Sequence, residues 1–484
     1  MKNKILTAVL VFSIVANISC YRMHASRGGG QTNAPATRTI SATDIALHPG
    51  YKIEAVATQL NFPSGATFDD KGNLYVIEAG YCYGEVWTVP KLIRIDDKGK
   101  KTTIAEGGKN GPWTGVTFYE GNFYIAEGGE LEGGKILKVA PSGQISTVVE
   151  GLPSVGDHHT NGPVVKDGYI YFGQGTATNS AVVGEDNNSF GWLQRRKDFH
   201  DIPCKDIELK GENYESENVL TEAQGDKATT GAFLPFGTPS TPGQVIKGMI
   251  PCTGAIMRVP VNGGKIELVA WGLRNPFGLA FSATGDLYVT ENSFDDRGSR
   301  PVWGTGDVLY KIETDKWYGW PDYSAAVKME NNDEFKPPGK SLVKPVMNKY
   351  PNEPPAPAAV FAVHTSADGI DFSKSSSFGF EGEAFVAEFG DMAPNVGKVW
   401  DPVGFKVVRV DVNTGVIRDF AVNKGKRNGP ASKLKNGGLE RPVALKFDAN
   451  GNNLIVVDFG ILTMGAKGAE PRQNTGVIWR ISKL

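Results

Sequence analysis

Apolar and polar positions follow one pattern that recurs six times along the chain. Each copy has a small-residue turn, an apolar triplet, a polar turn with Gly, a second apolar run, and usually an acidic residue followed by Gly. The copies read "FPSGATFDDKGNLYVIEAG" from Phe62, "GPWTGVTFYEGNFYIAEGG" from Gly111 and "HTNGPVVKDGYIYFGQG" from His159. They continue as "RNPFGLAFSATGDLYVTEN" from Arg274, "SADGIDFSKSSSFGFEGEAFVAEFG" from Ser366 and "ERPVALKFDANGNNLIVVDFG" from Glu440. Each copy predicts two short antiparallel strands around a turn. Repetition at roughly 40 to 50 residues belongs to solenoids or propellers, and an all-strand unit selects the propeller. The expected fold is therefore all-β, a six-bladed β-propeller over residues 45–484. "GYKIEAVATQL" from Gly50 and "GVIWRISKL" at the C-terminal end both read as strands, expected to complete one shared blade so that neither stays a bare edge. Two intervals are longer than a blade needs: a polar insertion at about 176–250 and a Pro- and Lys-rich stretch from Lys316 to Pro357. Loops of such length commonly form functional rims or lids.

Composition narrows the function classes. The chain has 51 Lys plus Arg against 53 Asp plus Glu, a net charge of −2, with no basic stripe. Nucleic acid is not an expected partner. The 60 glycines show no triplet period and fit turn-rich β structure.

Lys2 and Lys4 precede an apolar run from Ile5 to Ser19, shorter than the roughly 20 residues a spanning helix needs. Residues 1–19 thus read as an export signal. Ile18-Ser19-Cys20 resembles a lipoprotein cleavage box, with Asn17 where that pattern prefers Leu. Lipidation of Cys20 is the expectation; plain cleavage and an uncleaved anchor are the alternatives. The chain is then exported to the periplasm or held to the outer membrane by lipid alone, and residues 20–44 read as a flexible tether. In an exported chain Cys204 and Cys252 are expected to form a disulfide, with two free thiols as the alternative. Cys82 is left over.

"GLRNPFGLAFSATGDLYVTEN", "KWYGWPDYS" from Lys316 and "DHHTNG" from Asp157 together resemble the quinoprotein glucose/sorbosone dehydrogenases. These are soluble six-bladed propellers that use pyrroloquinoline quinone and calcium. The resemblance spans roughly residues 45–484, and "GLERPV" with the long insertion favours the sorbosone-dehydrogenase-like branch. It implies oxidation of a sugar, polyol or aldehyde, with electrons leaving to a separate cytochrome or quinone. It makes His159 the general base in its His-x-x-Gly turn, with Asp157 beside it and His158 as the fallback base. Imidazole suits that role because its pKa lies near working pH. Arg274 and Asn275 match the pair that holds the quinone oxygens, where fixed donors meet developing charge. The calcium would rest on backbone carbonyls of Ser293 and Phe294, where the glucose branch has Gly-Pro.

For the cofactor carboxylates, Asp391 stands where the family has Lys, leaving Lys398 as a displaced candidate. Of an Arg pair only Arg441 matches, with Leu439 at the other position. Second-strand ends carry Glu78, Glu127, Gln174, Glu291, Glu388 and Asp458. These are candidates for calcium or sugar hydroxyls, or else for accepting turn N–H groups. Glu78, Asp157, His158, Gln174 and His364 form the candidate substrate set. Trp317, Tyr318 and Trp320 read as packing. A calcium-dependent lactonase and a non-catalytic glycan- or protein-binding propeller are the alternative functions on this fold.

Overall fold

The computed structural model describes residues 28–80, 87–129, 131–189, 191–393, 398–465 and 468–484. Cys20, Cys82 and the expected export signal lie outside the described residues. Six antiparallel sheets of four or five strands form the blades. The innermost strands are Pro63–Phe68, Trp113–Tyr119, Thr160–Lys166, Asn275–Phe281, Ala367–Phe372 and Pro442–Phe447, which open blades 1 to 6 in order. Each is followed by a second strand, from Leu74–Glu78 in blade 1 to Asn453–Asp458 in blade 6. These are the predicted apolar runs, at the predicted positions.

The small residue in each entry turn has a steric reason. Adjacent inner strands approach closely around a narrow axial channel. A Cβ on Gly115 would lie 1.7 Å from the Gly162 carbonyl oxygen, and one on Gly369 would lie 2.4 Å from Ala444 Cα. Closure is also as expected. Tyr51–Leu60 pairs antiparallel with Gly476–Lys483, with Ile53 opposite Ile481, so both chain ends share blade 6. Blade 5 gains a fifth strand, Ile45–Leu47, paired with the end of Val416–Asn423.

Strand direction defines the two faces. Every inner strand starts, and every second strand ends, on one face, called here the mouth. The long insertion leaves Gln174 at the mouth and returns at Ala255. It carries two small two-stranded sheets and the Cys204–Cys252 disulfide. The second insertion, between Lys311 and Ala359, packs against the first. Lys210 N donates to the Val346 carbonyl at 2.9 Å, Asn348 N donates to the Glu208 carbonyl at 2.8 Å, and Phe233 meets Trp320 edge-on. Trp317, Tyr318 and Trp320 are buried packing residues.

One expectation requires correction. From Gly28 onward the tether is not loose. Gly28–Gly30 are buried, the Gln31 carbonyl accepts from Met464 N at 2.7 Å, and Arg38 ion-pairs with Asp458 at 2.5 Å. The Gly-rich composition that suggests a flexible linker here serves close packing.

Candidate functional site at the propeller mouth

The turn entering blade 4 places Arg274 and Asn275 at the mouth. The Arg274 guanidinium is buried. It donates to Asp295 Oδ2 at 2.8 Å, Asn179 Oδ1 at 3.0 Å, and the carbonyls of Asn179 and Asn292 at 3.2 and 3.3 Å. Asp295 also accepts from Arg297 Nε at 3.2 Å. Arg297 in turn reaches Asp186 at 2.8 Å and Asp157 at 2.6 Å. His364 Nδ1 lies 3.6 Å from Asp295. Asp295 stays well below the usual carboxylate range: burial opposes ionisation, but Arg274 and Arg297 outweigh it. Asp157 and His364, both expected at the substrate, thus belong to this ion network.

The adjacent histidines occupy different surroundings. His158 Nδ1 lies 3.0 Å from the Thr176 carbonyl, which can only accept. The ring proton therefore sits on Nδ1, and Nε2 carries the lone pair. Burial lowers the His158 pKa well below normal, and Arg274 and Arg297 lower it further. His159 points elsewhere. Its Cβ is 3.0 Å from a Cβ built on Gly128, in blade 2, and its Nδ1 is 3.4 Å from the Ser154 carbonyl. Burial brings its pKa down to about 4. Arg274 thus acts on His158, while His159 lies against Gly128 of blade 2.

Asn275 is the centre of an amide chain. It accepts from Asn161 at 3.1 Å and donates to Asn292 Oδ1 at 2.9 Å, and Asn292 donates to the Ala367 carbonyl at 3.1 Å. This chain ties the entries of blades 3, 4 and 5 together. Residues from Gly175 to Gly184, at the start of the long insertion, are buried throughout and carry Asn179 to Arg274.

The acidic strand ends cap turns. Glu78 accepts from Asn61 N at 2.7 Å, and Glu127 accepts from Asn110 and Trp113 side chains at 2.9 and 3.0 Å. Glu291 accepts from Arg274 N, and Asp458 accepts from Glu440 N and Arg441 N, both at 2.9 Å. Gln174 accepts from Thr160 Oγ1 at 2.8 Å. Each side chain braces the turn into its own blade's inner strand, so Glu78 and Gln174 are engaged in blade turns. Among the described residues Glu291 Oε2 has no hydrogen-bond partner, and burial raises its pKa to about 8.

Arg441 enters from blade 6. Its buried guanidinium lies over Phe389 and Phe405, at 4.9 and 5.0 Å, and donates to the carbonyls of Phe389, Gly390 and Asp391. Among the described residues no carboxylate forms an ion pair with it, and burial lowers its pKa to about 10. Lys398 Nζ donates to the Gly304 carbonyl at 3.4 Å.

Fit differs between the two expected cofactors. A tricarboxylate quinone needs cationic donors. Arg441 is a buried cation held by carbonyls and two aromatic rings, so it fits one carboxylate of such an anion, whereas Arg274 and Arg297 already pair with Asp295, Asp157 and Asp186. One of the two expected calcium carbonyls is already an acceptor. The Phe294 carbonyl takes the Thr305 hydroxyl at 3.1 Å, and the Asn292 carbonyl takes Arg274. Among the described residues no three His, Cys, Asp or Glu side chains are grouped to hold a metal.

Sequence reasoning missed Asn179, Asp295, Arg297 and Arg38. The signal for two of them was the charge-dense "SFDDRGSR" directly after a mouth-end strand.

Comparison with solved structures gives the same architecture. The chain is similar to the holo pyranose dehydrogenase PQQ domain from Coprinopsis cinerea, at 16% identity over 93% of this chain and 99% of that one, TM-score 0.53. It is similar to a Trichoderma reesei carbohydrate-active enzyme of family AA12, at 16% identity over 92% and 99%, TM-score 0.52. The apo form of the soluble aldose sugar dehydrogenase from Escherichia coli matches at 13% identity over 90% and 100%, TM-score 0.50. At these identities the likeness establishes the six-bladed propeller. No protein-family model matches the sequence, and no curated protein sequence matches it.

Proposed function

We propose that this protein is a quinone-dependent oxidoreductase that oxidises a sugar, polyol or related aldehyde at the propeller mouth. The observation that carries the reading is the convergence of Arg274, Asn275 and a neutral, oriented His158 at one opening, with the under-paired cation Arg441 nearby. The structural neighbours named for sugar dehydrogenases and a PQQ domain support it. Pyrroloquinoline quinone, when bound, supplies the two-electron acceptor. Arg274 and Asn275 would meet its quinone oxygens, and Arg441 would hold one of its carboxylates. The calcium expected beside it has no assigned step.

The chain's own contribution is proton chemistry and orientation. His158 donates its Nδ1 proton to Thr176 and presents Nε2 as the base for the substrate hydroxyl proton. Burial and the neighbouring guanidiniums keep it neutral, so the base form is present across physiological pH. Asn275 fixes the spacing of three blade entries beneath the substrate. Removing the hydroxyl proton lets the carbinol hydrogen leave as hydride, and electrons pass on to a separate cytochrome or quinone outside the chain. Export, through a signal and lipidation at Cys20, belongs to the same proposal.

The test is to titrate the purified protein with pyrroloquinoline quinone, with and without calcium, and follow quinone binding and dye reduction over a panel of sugars and aldehydes. His158→Ala should lower kcat by roughly 10² to 10⁴-fold with quinone binding retained, and His159→Ala should have a much smaller effect. The reverse result moves the base by one residue. A protein that binds no quinone and reduces no dye overturns the function.

A further inference from the structure

Residues 28–38 are fastened to the mouth face. A Cβ on Gly28, Gly29 or Gly30 would lie 2.1, 2.1 or 1.9 Å from Asp391 Oδ1, Phe405 Cζ or the Ala393 carbonyl oxygen, so the slot accepts only backbone. Gly29 N donates to Asp391 Oδ1 at 2.7 Å, and Lys433 Nζ donates to the Gly30 carbonyl at 3.1 Å. Gln31 Nε2 donates to Ser432 at 2.6 Å, and Arg38 donates to Asp458 and to the Gly438 and Thr475 carbonyls. Every partner sits on a mouth-side loop of blade 5 or 6.

The span from Cys20 to Gly28 reaches at most about 29 Å when fully extended. A compact domain of this length is about 55–60 Å across. A tether that short cannot pass around the rim and present the opposite face to a surface holding Cys20. Surface chemistry gives a second, independent pointer. Among the described residues, Trp87 and Trp400 are the exposed tryptophans, at 42% and 59%. Both lie on mouth-side loops, as do exposed Leu131 and Met392. Tryptophan favours the membrane–water interface, where its ring is apolar and its N–H stays wet.

We infer that the mouth face is apposed to the lipid surface that holds the acylated N-terminus, with Trp87, Trp400, Leu131 and Met392 meeting the headgroup region. The strap sets this orientation by consuming the tether from Gly28 onward. Electrons from the proposed oxidation then emerge beside lipid, where a lipid-dissolved acceptor is within reach. The orientation rests on acylation of Cys20 and is independent of the catalytic reading.

The experiment reconstitutes the full-length acylated protein into phosphatidylethanolamine/phosphatidylglycerol vesicles. A fluorophore is placed at Leu131→Cys on the mouth face or at Lys71→Cys on the opposite face, in a Cys82→Ser background. Energy transfer to headgroup-labelled lipid should be several-fold stronger from the mouth position. Gly29→Leu, which cannot seat against Phe405, should keep vesicle attachment and lose most of that contrast. Equal transfer from both positions, or stronger transfer from Lys71→Cys, overturns the orientation. Mass spectrometry of the mature N-terminus showing no lipid on Cys20 overturns it as well. Neither result affects the quinone titration, so the two readings fail separately.

Discussion

A carboxylate at the end of a second strand has one recurring job in this protein. It accepts the backbone N–H groups of the turn into its own blade, as Glu78, Glu291 and Asp458 do. Their placement was legible as a pattern, but their partners were not. The same acidic-then-Gly signature serves a ligand site or a turn cap, and only burial separates the two. At Glu291 burial has a measurable consequence. Its folded pKa of about 8 lies above the ordinary carboxyl value of 4.5. The folded state therefore binds this proton more tightly than the unfolded state, and stability falls as pH rises from about 4.5 to 8. Glu388 and Glu440, raised to about 7, act in the same direction. His159, lowered to about 4, acts oppositely below pH 6.5, where the unfolded imidazole takes up the proton. Above pH 6.5 only the carboxyls remain. Glu291→Gln keeps an acceptor for Arg274 N and removes the proton linkage. Its melting temperature should exceed the wild type's at pH 8.5 and match it near pH 5. Parallel pH profiles for the two proteins would remove Glu291 from this account.

At the scale of elements, regular strands were readable and irregular connections were not. Inner and second strands follow from alternation and Gly turns, which are local. The ion network at the mouth is not local. Asn179 meets Arg274 across 95 positions of sequence, and Arg297 meets Asp157 across 140. Contacts of that kind depend on the fold and leave no periodic trace. The disulfide lies between these cases, because two cysteines in one insertion of a chain expected to be exported suggest a bond before any geometry is known. Cys204 and Cys252 are separated by 48 residues, and closing a loop of that length contributes about 4 kcal/mol in the chain-entropy model. The bonded insertion also presents Asn179 to Arg274. Cys204→Ser/Cys252→Ser should thus become sensitive to protease between residues 205 and 250, and its quinone affinity should fall while the blades stay folded. Unchanged cleavage at matched protease concentration would show that packing alone holds the insertion.

The whole molecule depends on one closure. Blade 6 takes its third strand from the C-terminal end and its fourth from Tyr51–Leu60. Val477, Ile478, Trp479 and Ile481 are all fully buried there, between sheets formed by distant parts of the chain. Burying a large apolar side chain contributes roughly 1.5–3 kcal/mol, so these four together are comparable to the whole stability of a typical domain, about 5–15 kcal/mol. Deleting Gly476–Leu484 should therefore prevent folding of the propeller rather than fray an edge. A milder change tests the same closure in a protein that still folds. Trp479→Ala removes a buried ring and the indole N–H that donates to Asp458 at 3.2 Å. The cost should be about 3–5 kcal/mol. If the ring of blades is one cooperative unit, calorimetry of the variant shows a single transition moved to lower temperature, with the tryptophan signals of blades 2 and 4 moving with it. Asp458 also holds the strap through Arg38, so the segment from Gly28 should loosen in the same step. Two separated transitions, the lower confined to blade 6, would mean that the chain ends form a detachable lock and that the other five blades stand without it.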